Sequence, residues 1–145
     1  MSTAFASIVS AVIAKLSEAP AVCDVIYRAR GDVGLVPEQA PRAINVQFER
    51  AIADRAGIAG APVDWNSTIS VECFARGLTE TGDVAVDPLL QAVYERLAQD
   101  PTLGGLIGDL VAVGIEADNT TQGTKTGWVR ITYVADHRTN NSNLN

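Results

Sequence analysis

The side chain best suited to acid–base chemistry near neutral pH is the single histidine, His137. An unperturbed imidazole titrates close to neutrality, whereas the other side chains titrate well away from it. His137 stands between Asp136 and Arg138 in the segment VADHRT, where an apolar run gives way to a polar tail. Because neighbouring side chains point to opposite faces of a strand, these two charged groups do not converge with the imidazole. The segment therefore predicts a surface histidine at the end of a strand, without a catalytic or metal-binding role.

The other candidate residues lack the spacing that chemistry would require. Cys23 and Cys73 have neither a CxxC pattern nor a nearby histidine, so we expect two free thiols in the core. No HxxxH or HxH pattern supports a metal site, and the glycines match neither common phosphate-binding pattern. The 17 acidic residues lie in no Gly-rich or apolar frame that would tune a pKa. We therefore expect no catalytic residue, no metal and no cofactor, and we interpret the protein as a non-enzyme.

Size and composition favour one folded domain. The chain has 145 residues, of which 47% are hydrophobic, and this is enough to bury a core. Its formal net charge of −6 disfavours a protein whose main task is to grip the nucleic-acid backbone. We find neither a secretory leader nor a stretch of about 20 apolar residues, so a reducing cytosol is the expected compartment.

Hydrophobic periodicity predicts the elements that would position any functional residue. Residues 3–18 have the apolar spacing of an amphipathic helix, capped by Ser2 or Thr3. A second helix is predicted to begin at Asp87 and Pro88, because aspartate caps a first turn and proline loses no hydrogen bond there. Its buried residues would be Leu90, Val93, Tyr94 and Leu97. Strands are predicted at 22–28, 43–50, 65–76, 110–118 and 127–137.

The order of these elements predicts an α+β fold, with helices packed on one face of a mostly antiparallel sheet. Residues 1–139 would form this single domain, and the polar tail 140–145 would be disordered. Alternation in the second strand places Ile44, Val46 and Phe48 on the core face and Asn45, Gln47 and Glu49 opposite. Two long connections rich in Gly or Pro, 31–42 and 53–62, are expected to carry binding function.

Charged residues flank these two connections and form a candidate interaction surface. The arginines there could pair with an acidic partner, and scattered solvated charge explains them equally well. The predicted interface residues are Arg28, Arg30, Asp32, Glu38, Arg42, Arg50, Asp54 and Arg55.

The C-terminal half of the chain resembles that of the tail terminator, or tail completion, proteins of long-tailed bacteriophages. The likeness rests on the segments DPLLQAVYERLAQDPTLGGLIGDLVAVGIEAD and GWVRITYVADHRT, which are separated by a polar turn. In that family the final strand ends with Tyr or His and then Arg-Thr. Tyr133 and the sequence His137-Arg138-Thr139 stand in that place here.

The N-terminal half follows the order of the same family. An amphipathic helix comes first, and strands such as AINVQFER and DWNSTISVECFAR follow. In the family a strand of the second kind often ends in aromatic-Ala-Arg, as Phe74-Ala75-Arg76 does here. The resemblance therefore covers nearly the whole chain in its layout.

This resemblance implies a structural role in the virion. Family members form a ring, typically of six copies, that caps the finished tail tube, stops its polymerisation and presents a surface to the head connector. The implied partners are further copies, the tail tube protein and the head connector proteins, with no membrane and with DNA only passing through the ring. The implied location is the head–tail junction of the virion, after assembly in the host bacterial cytoplasm. An acidic protein suits a pore through which DNA must pass without binding.

Three alternatives remain open at this point. The first is a head–tail connector or neck protein of the same virion, since these have similar size and α+β content. The second is a small enzyme or ligand-binding domain, for which the replacement of His137 by alanine would abolish an activity. The third is a nucleic-acid binder, against which the net charge argues.

Overall fold

The computed structural model describes residues 2–29, 42–54, 59–77, 80–118 and 126–145. The elements within these ranges are α1 (Ala4–Ser17), β1 (Ile26–Arg28), β2 (Arg42–Asp54), β3 (Val63–Arg76), α2 (Gly82–Ala98), β4 (Asp109–Ala117) and β5 (Thr126–Thr139). The strands form one five-stranded sheet in the order β1-β2-β3-β5-β4. Only the β1–β2 pair is parallel, and the other three pairs are antiparallel. Both helices pack against the sheet, so the predicted α+β fold class is confirmed.

The core lies between the helices and the alternate residues of β3 and β5 that face them. Their side chains, together with one face of each helix and the start of β2, form a single cluster. Period-two alternation places one residue in every two on that face. The core positions of the two central strands are Ser67, Ile69, Val71, Cys73 and Ala75 of β3, and Val129, Ile131, Tyr133 and Ala135 of β5. Alternate residues of both central strands are therefore buried in the core.

Helix α1 forms as its sequence predicts. The backbone N–H of Ala6 donates to Thr3 Oγ1 at 3.2 Å, so Thr3 is the capping residue. Arg96 of α2 holds the other end of α1, because its guanidinium donates to the carbonyl oxygens of Lys15, Glu18 and Pro20 at 3.1, 2.7 and 2.6 Å. The carbonyls that end a helix have no partner within it, and here a side chain from the second helix supplies one.

Helix α2 differs from its prediction at its start and on its buried face. It begins at Gly82, so Asp87 is no cap and Pro88 lies inside the helix. The buried residues are Gly82, Val86, Leu89, Val93 and Leu97, whereas Leu90 is only partly buried and Tyr94 is exposed. The first turn is held by a close approach of the Gly82 and Gly127 backbones, where a Cβ on either residue would overlap the other. Local propensity placed the helix start at Asp-Pro, and tertiary packing overrides it.

Strand boundaries differ from the predictions mainly at β1 and β2. Strand β1 spans only three residues, and β2 runs on to Asp54 into the segment predicted as a loop. Asn45, predicted to face solvent, is buried, and Phe48, predicted to be in the core, is 41% exposed. Residues 31–41 of the predicted connection 31–42, and residues 55–58 of the predicted connection 53–62, lie outside the described residues.

The C-terminal residues, for which the composition predicted disorder, turn back on themselves. The N–H of Asn140 donates to the carbonyl oxygen of Asn145 at 3.1 Å, and that of Ala4 donates to Leu144 at 2.7 Å. Both cysteines are free and buried, as predicted. Neither helix in the described ranges has the length and hydrophobicity of a membrane-spanning segment.

Candidate functional site

The prediction of a surface histidine at a strand end is wrong. His137 is 8% exposed, and β5 continues beyond it to Thr139. Its ring faces the helices, where the Phe5 ring of α1 lies edge-on with its centroid 5.2 Å away. Its Nε2 atom lies 2.6 Å from Ser67 Oγ on β3. As predicted, the neighbouring Asp136 and Arg138 point to the other face and do not converge with it.

A serine and a histidine at this distance have the geometry of a nucleophile with its base, but the surroundings differ from those of a catalytic pair. Ser67 is fully buried, so its hydroxyl offers no room for a substrate. Nδ1 of His137 is buried without a hydrogen-bond partner among the described residues, so no carboxylate orients the ring there. Burial lowers the pKa of His137, although Asp136 acts in the opposite direction. The neutral imidazole therefore links α1, β3 and β5.

Beside His137 the open face of the sheet has an acidic groove of about 470 Å³. Asp54, Asp64 and Asp136 line it, and Arg138 donates two hydrogen bonds to Asp64, at 2.7 and 3.2 Å. The hydrogen bonds from Arg138 lower the pKa of the Asp64 carboxyl. Within the described ranges, no three His, Cys, Asp or Glu side chains are grouped so that they could hold a metal ion.

A second polar group lies at the centre of the sheet, on the face turned away from the helices. Glu72 is fully buried there, and its two carboxylate oxygens accept from Asn45 Nδ2 at 3.0 Å and from Trp128 Nε1 at 2.9 Å. Arg130 Nη2 lies 3.9 Å from the same carboxylate, and its guanidinium stacks 5.1 Å from the Trp128 ring. This network explains why Asn45 is buried on a face that the sequence assigned to solvent.

The four predicted interface residues that the structure describes do not lie together on one surface. Arg28 donates to Ser10 Oγ at 2.6 Å and to the carbonyl oxygen of Ala6 at 2.9 Å, so it ties β1 to α1. Arg42 and Asp54 lie at opposite ends of β2, whose 13 residues span roughly 40 Å. Arg50, opposite Thr68, is exposed on the open face. The remaining four, Arg30, Asp32, Glu38 and Arg55, lie outside the described residues.

The strongest candidate surface is one that the sequence did not single out, the outer edge of β4. Among the described strands, β4 is the last of the sheet and pairs only with β5, on its inner side. Val111, Val113 and Ile115 are 46%, 58% and 56% exposed. A register shift between Ala112 and Gly114 turns Val113 out of the regular pairing. Natural sheets usually protect an exposed edge with charge, proline, a bulge or a covering element. β4 has such a bulge at Val113 and an acidic residue near each end, but the exposed side chains between its ends are apolar.

The other edge of the sheet is only partly covered. β1 pairs with residues 44–46 of β2, and the N–H of Ala29 extends that pairing to the carbonyl oxygen of Val46. Beside residues 47–54 the structure describes no further strand. Ile52 and Phe48 in this stretch are 56% and 41% exposed. The described chain therefore presents one unpaired strand edge on each side of its sheet.

A signal for the β4 edge was present in the sequence. The run LVAVGI, residues 110–115, is almost continuously apolar, a pattern of strands buried on both faces. In the structure, Leu110 and Ala112 are the residues of this strand that pack against the core. Exposed apolar patches of this kind are typical of surfaces through which proteins associate.

Comparison with known proteins gives a structural likeness. No family model matches the chain, and no curated protein matches it. Among solved structures, a chain of the virion of a native gene transfer agent particle superposes with a TM-score of 0.59 at 15% sequence identity. The match covers 95% of this chain and 100% of that chain. The fold described above is therefore one that a virion particle contains.

Proposed function

We propose that this protein is a structural component of a virion and that it forms a ring capping the end of the tail tube. The ring stops tube polymerisation and offers the surface to which the head attaches. The observation that carries the proposal is the apolar outer edge of β4, which is unpaired among the described residues and where Val111, Val113 and Ile115 are 46–58% exposed. The fold shared with a chain of a virion particle supports it.

An exposed apolar strand edge favours a protein that works by association. Unpaired backbone N–H and C=O groups and aliphatic side chains are stabilised when a further strand covers them. A ring requires a heterologous contact, in which one patch of a subunit meets a different patch of the next. Two unlike edges on opposite sides of one sheet provide such a pair of patches.

The charge of the chain is compatible with a pore for DNA. The net charge is −6, and the open face of the sheet has an acidic groove formed by Asp54, Asp64 and Asp136. Like charges disfavour binding of the phosphate backbone, so DNA would pass through such a ring without being retained. The tail tube protein and the head connector proteins are the partners of this proposal.

Electron microscopy of the purified protein, alone and mixed with tail tubes from particles lacking it, tests the proposal. We expect rings that sit on one end of each tube, and tubes of uniform length when the protein is present during assembly. Tubes that grow to their normal length without this protein would contradict the capping role.

Micrographs of the protein mixed with both isolated heads and tail tubes separate the main alternative, a head–tail connector or neck protein. The structural match is to a chain of a virion particle, and this supports a connector in the same way as it supports a tail cap. Gold-labelled protein bound to the portal side of isolated heads, with tube ends left bare, would favour the connector.

A further inference from the structure

We propose that neighbouring copies join edge to edge, with β4 of one copy pairing antiparallel with residues 47–54 of β2 in the next. The sheet of each subunit then continues into the sheet of its neighbour. That this assembly closes into a ring rests on the proposed function. The contact between the two strand edges can be measured on the purified protein without tail tubes. The occupant of the exposed β4 edge is thus a second copy of this chain.

Strand direction makes this contact possible without rearrangement. Since β2–β3, β3–β5 and β5–β4 are antiparallel pairs, β4 runs opposite to β2. Copies related by rotation about an axis roughly parallel to the strands keep their strand directions. β4 of one copy therefore meets β2 of the next in antiparallel orientation, and the alternation continues around the ring. Pairing of β4 with itself would require a two-fold axis and would end at a dimer.

The side chains at the two edges match on both faces of the sheet. On the open face, β2 exposes Ile52 and β4 exposes Val111, because these residues align with the outward positions Asn66 and Val134 of the central strands. On the helix face, the two edges expose Phe48 and Ile115. Aliphatic and aromatic residues brought side by side across two strands stabilise a sheet, and each edge supplies one per face.

The charges on the open face are also complementary. Arg50 of β2 is exposed, without an ion pair in the described part of the chain. β4 has Asp109 and Glu116 on the same face, one near each end of the strand. Glu49, the acidic neighbour of Arg50, already accepts hydrogen bonds from Gln47 and Ser70 at 2.8 Å each. Arg50 of one copy is therefore available for an acidic residue of β4 in the next.

Engineered disulfides test the contact directly. Ile52→Cys is combined in turn with Asp109→Cys, Val111→Cys or Glu116→Cys, three open-face positions that sample different registers. Within one subunit the two edges are at least about 14 Å apart, three strand spacings, which exceeds the reach of a disulfide. Any bond formed must therefore join two copies, and the native cysteines are buried.

We expect at least one pair to give a ladder of covalent oligomers under mild oxidation, ending at the copy number of the ring. Each single variant, and the pair Ile52→Cys with Val84→Cys on the exposed face of α2, should stay monomeric on a denaturing gel. Val111→Lys should weaken self-association by about tenfold or more, and Val84→Lys should leave it unchanged.

The outcomes distinguish this inference from the ring proposal. Rings seen by microscopy with no ladder from any pair would overturn the edge contact and leave the ring standing. Covalent dimers from Val111→Cys alone would show that β4 pairs with itself and would also overturn it. If the protein forms the series of covalent oligomers but does not cap tail tubes, the edge contact would be supported and the capping role would be contradicted.

Discussion

Several polar side chains in this protein are buried and hydrogen-bonded to one another. His137 and Ser67 bind each other on the helix face of the sheet, and Glu72 binds Asn45 and Trp128 on the open face. A buried polar group is tolerated when its partners are present and costs free energy when one is removed. These residues therefore stabilise the folded subunit, and replacing them should change its free energy of unfolding.

His137 should make the protein less stable in weakly acidic solution. Burial lowers its pKa in the folded state from the ordinary value of 6.5. As the pH falls below 6.5, the unfolded chain binds a proton that the folded chain does not, so the free energy of unfolding decreases until the folded pKa is reached. Urea unfolding at a series of pH values between neutrality and the onset of carboxylate titration measures this slope.

The variant His137→Gln provides the control for that slope. Glutamine keeps a hydrogen-bonding side chain near Ser67 but does not titrate, so the stability difference between wild type and variant should shrink as the pH falls. A difference that stays constant from pH 7 to pH 5, or about that range, would show that the histidine does not contribute.

Glu72→Gln should lower the free energy of unfolding by about 1–3 kcal/mol. The carboxylate accepts from two donors, Asn45 and Trp128. Glutamine has only one acceptor oxygen, so one buried donor would face an amide N–H₂ group. Chemical denaturation followed by tryptophan fluorescence measures the change. Thr68→Val, on the same strand and face, is the matched control, and its free energy of unfolding should lie within about 0.5 kcal/mol of wild type. An equal loss of stability in both variants would argue against a stabilising role of the hydrogen-bond network around Glu72.

At the level of elements, the packing of α2 on the sheet depends on two glycines far apart in sequence. The backbones of Gly82 at the helix start and Gly127 at the start of β5 approach so closely that neither position has room for a Cβ. Val86, one turn further on, enters the core. This contact extends the helix upstream of Pro88, although a proline inside a helix lacks one hydrogen bond.

Gly127→Ala should destabilise the fold by about 1–3 kcal/mol, because the new methyl group must displace the Gly82 backbone. Gly114→Ala is the matched control, since a Cβ at that strand position meets no atom within 4 Å. Thermal unfolding of the two variants should show a lower midpoint for Gly127→Ala only. Equal midpoints would indicate that the close contact between the first turn of α2 and the start of β5 does not contribute to stability.

At the level of the whole molecule, the protein has a well-packed interior and two incomplete edges. The helices cover one face of the central strands, whereas β4 and the second half of β2 have no strand beside their outer edges within the described ranges. Completion of the sheet by neighbouring copies would bury Val111, Val113 and Ile115. The stability of such a protein should then depend on its concentration, because subunit association and unfolding are linked.

Charge reversal at Arg30, Arg42 and Arg55 tests the interface predicted from the sequence. We expect the triple variant to impair tail capping and to leave the unfolding transition within about 0.5 kcal/mol of wild type, since Arg42 is exposed. Measurement of tail lengths after assembly with the variant checks this. Reversal at Arg28 is the contrasting control, because Arg28 bonds α1 and should affect stability. Tails of normal length with the triple variant would restrict the interface to the strand edges.

Local patterns in the amino-acid sequence were enough to predict the fold class and the order of the elements. Apolar residues recur at helical spacing in α1 and alternate along β3 and β5, and these local periods need no knowledge of the partner strand. The two-residue period of a strand also correctly predicted that Asp136 and Arg138 point away from His137. Of the eight predicted interface residues, the structure places Arg28, Arg42, Arg50 and Asp54 apart, because nearness along the chain says little about which face or end of a sheet a residue occupies.

Which strands lie at the edges of the sheet, and which polar residues are buried, depends on how the strands are arranged in the folded chain. The run at 110–115 predicts a strand, but the order β1-β2-β3-β5-β4 leaves it at the margin, where its side chains are exposed. Similarly, Glu72 is buried because Asn45 and Trp128 from two neighbouring strands meet it. Strand order and cross-strand contacts join residues far apart in the chain, and local periodicity has no information about them.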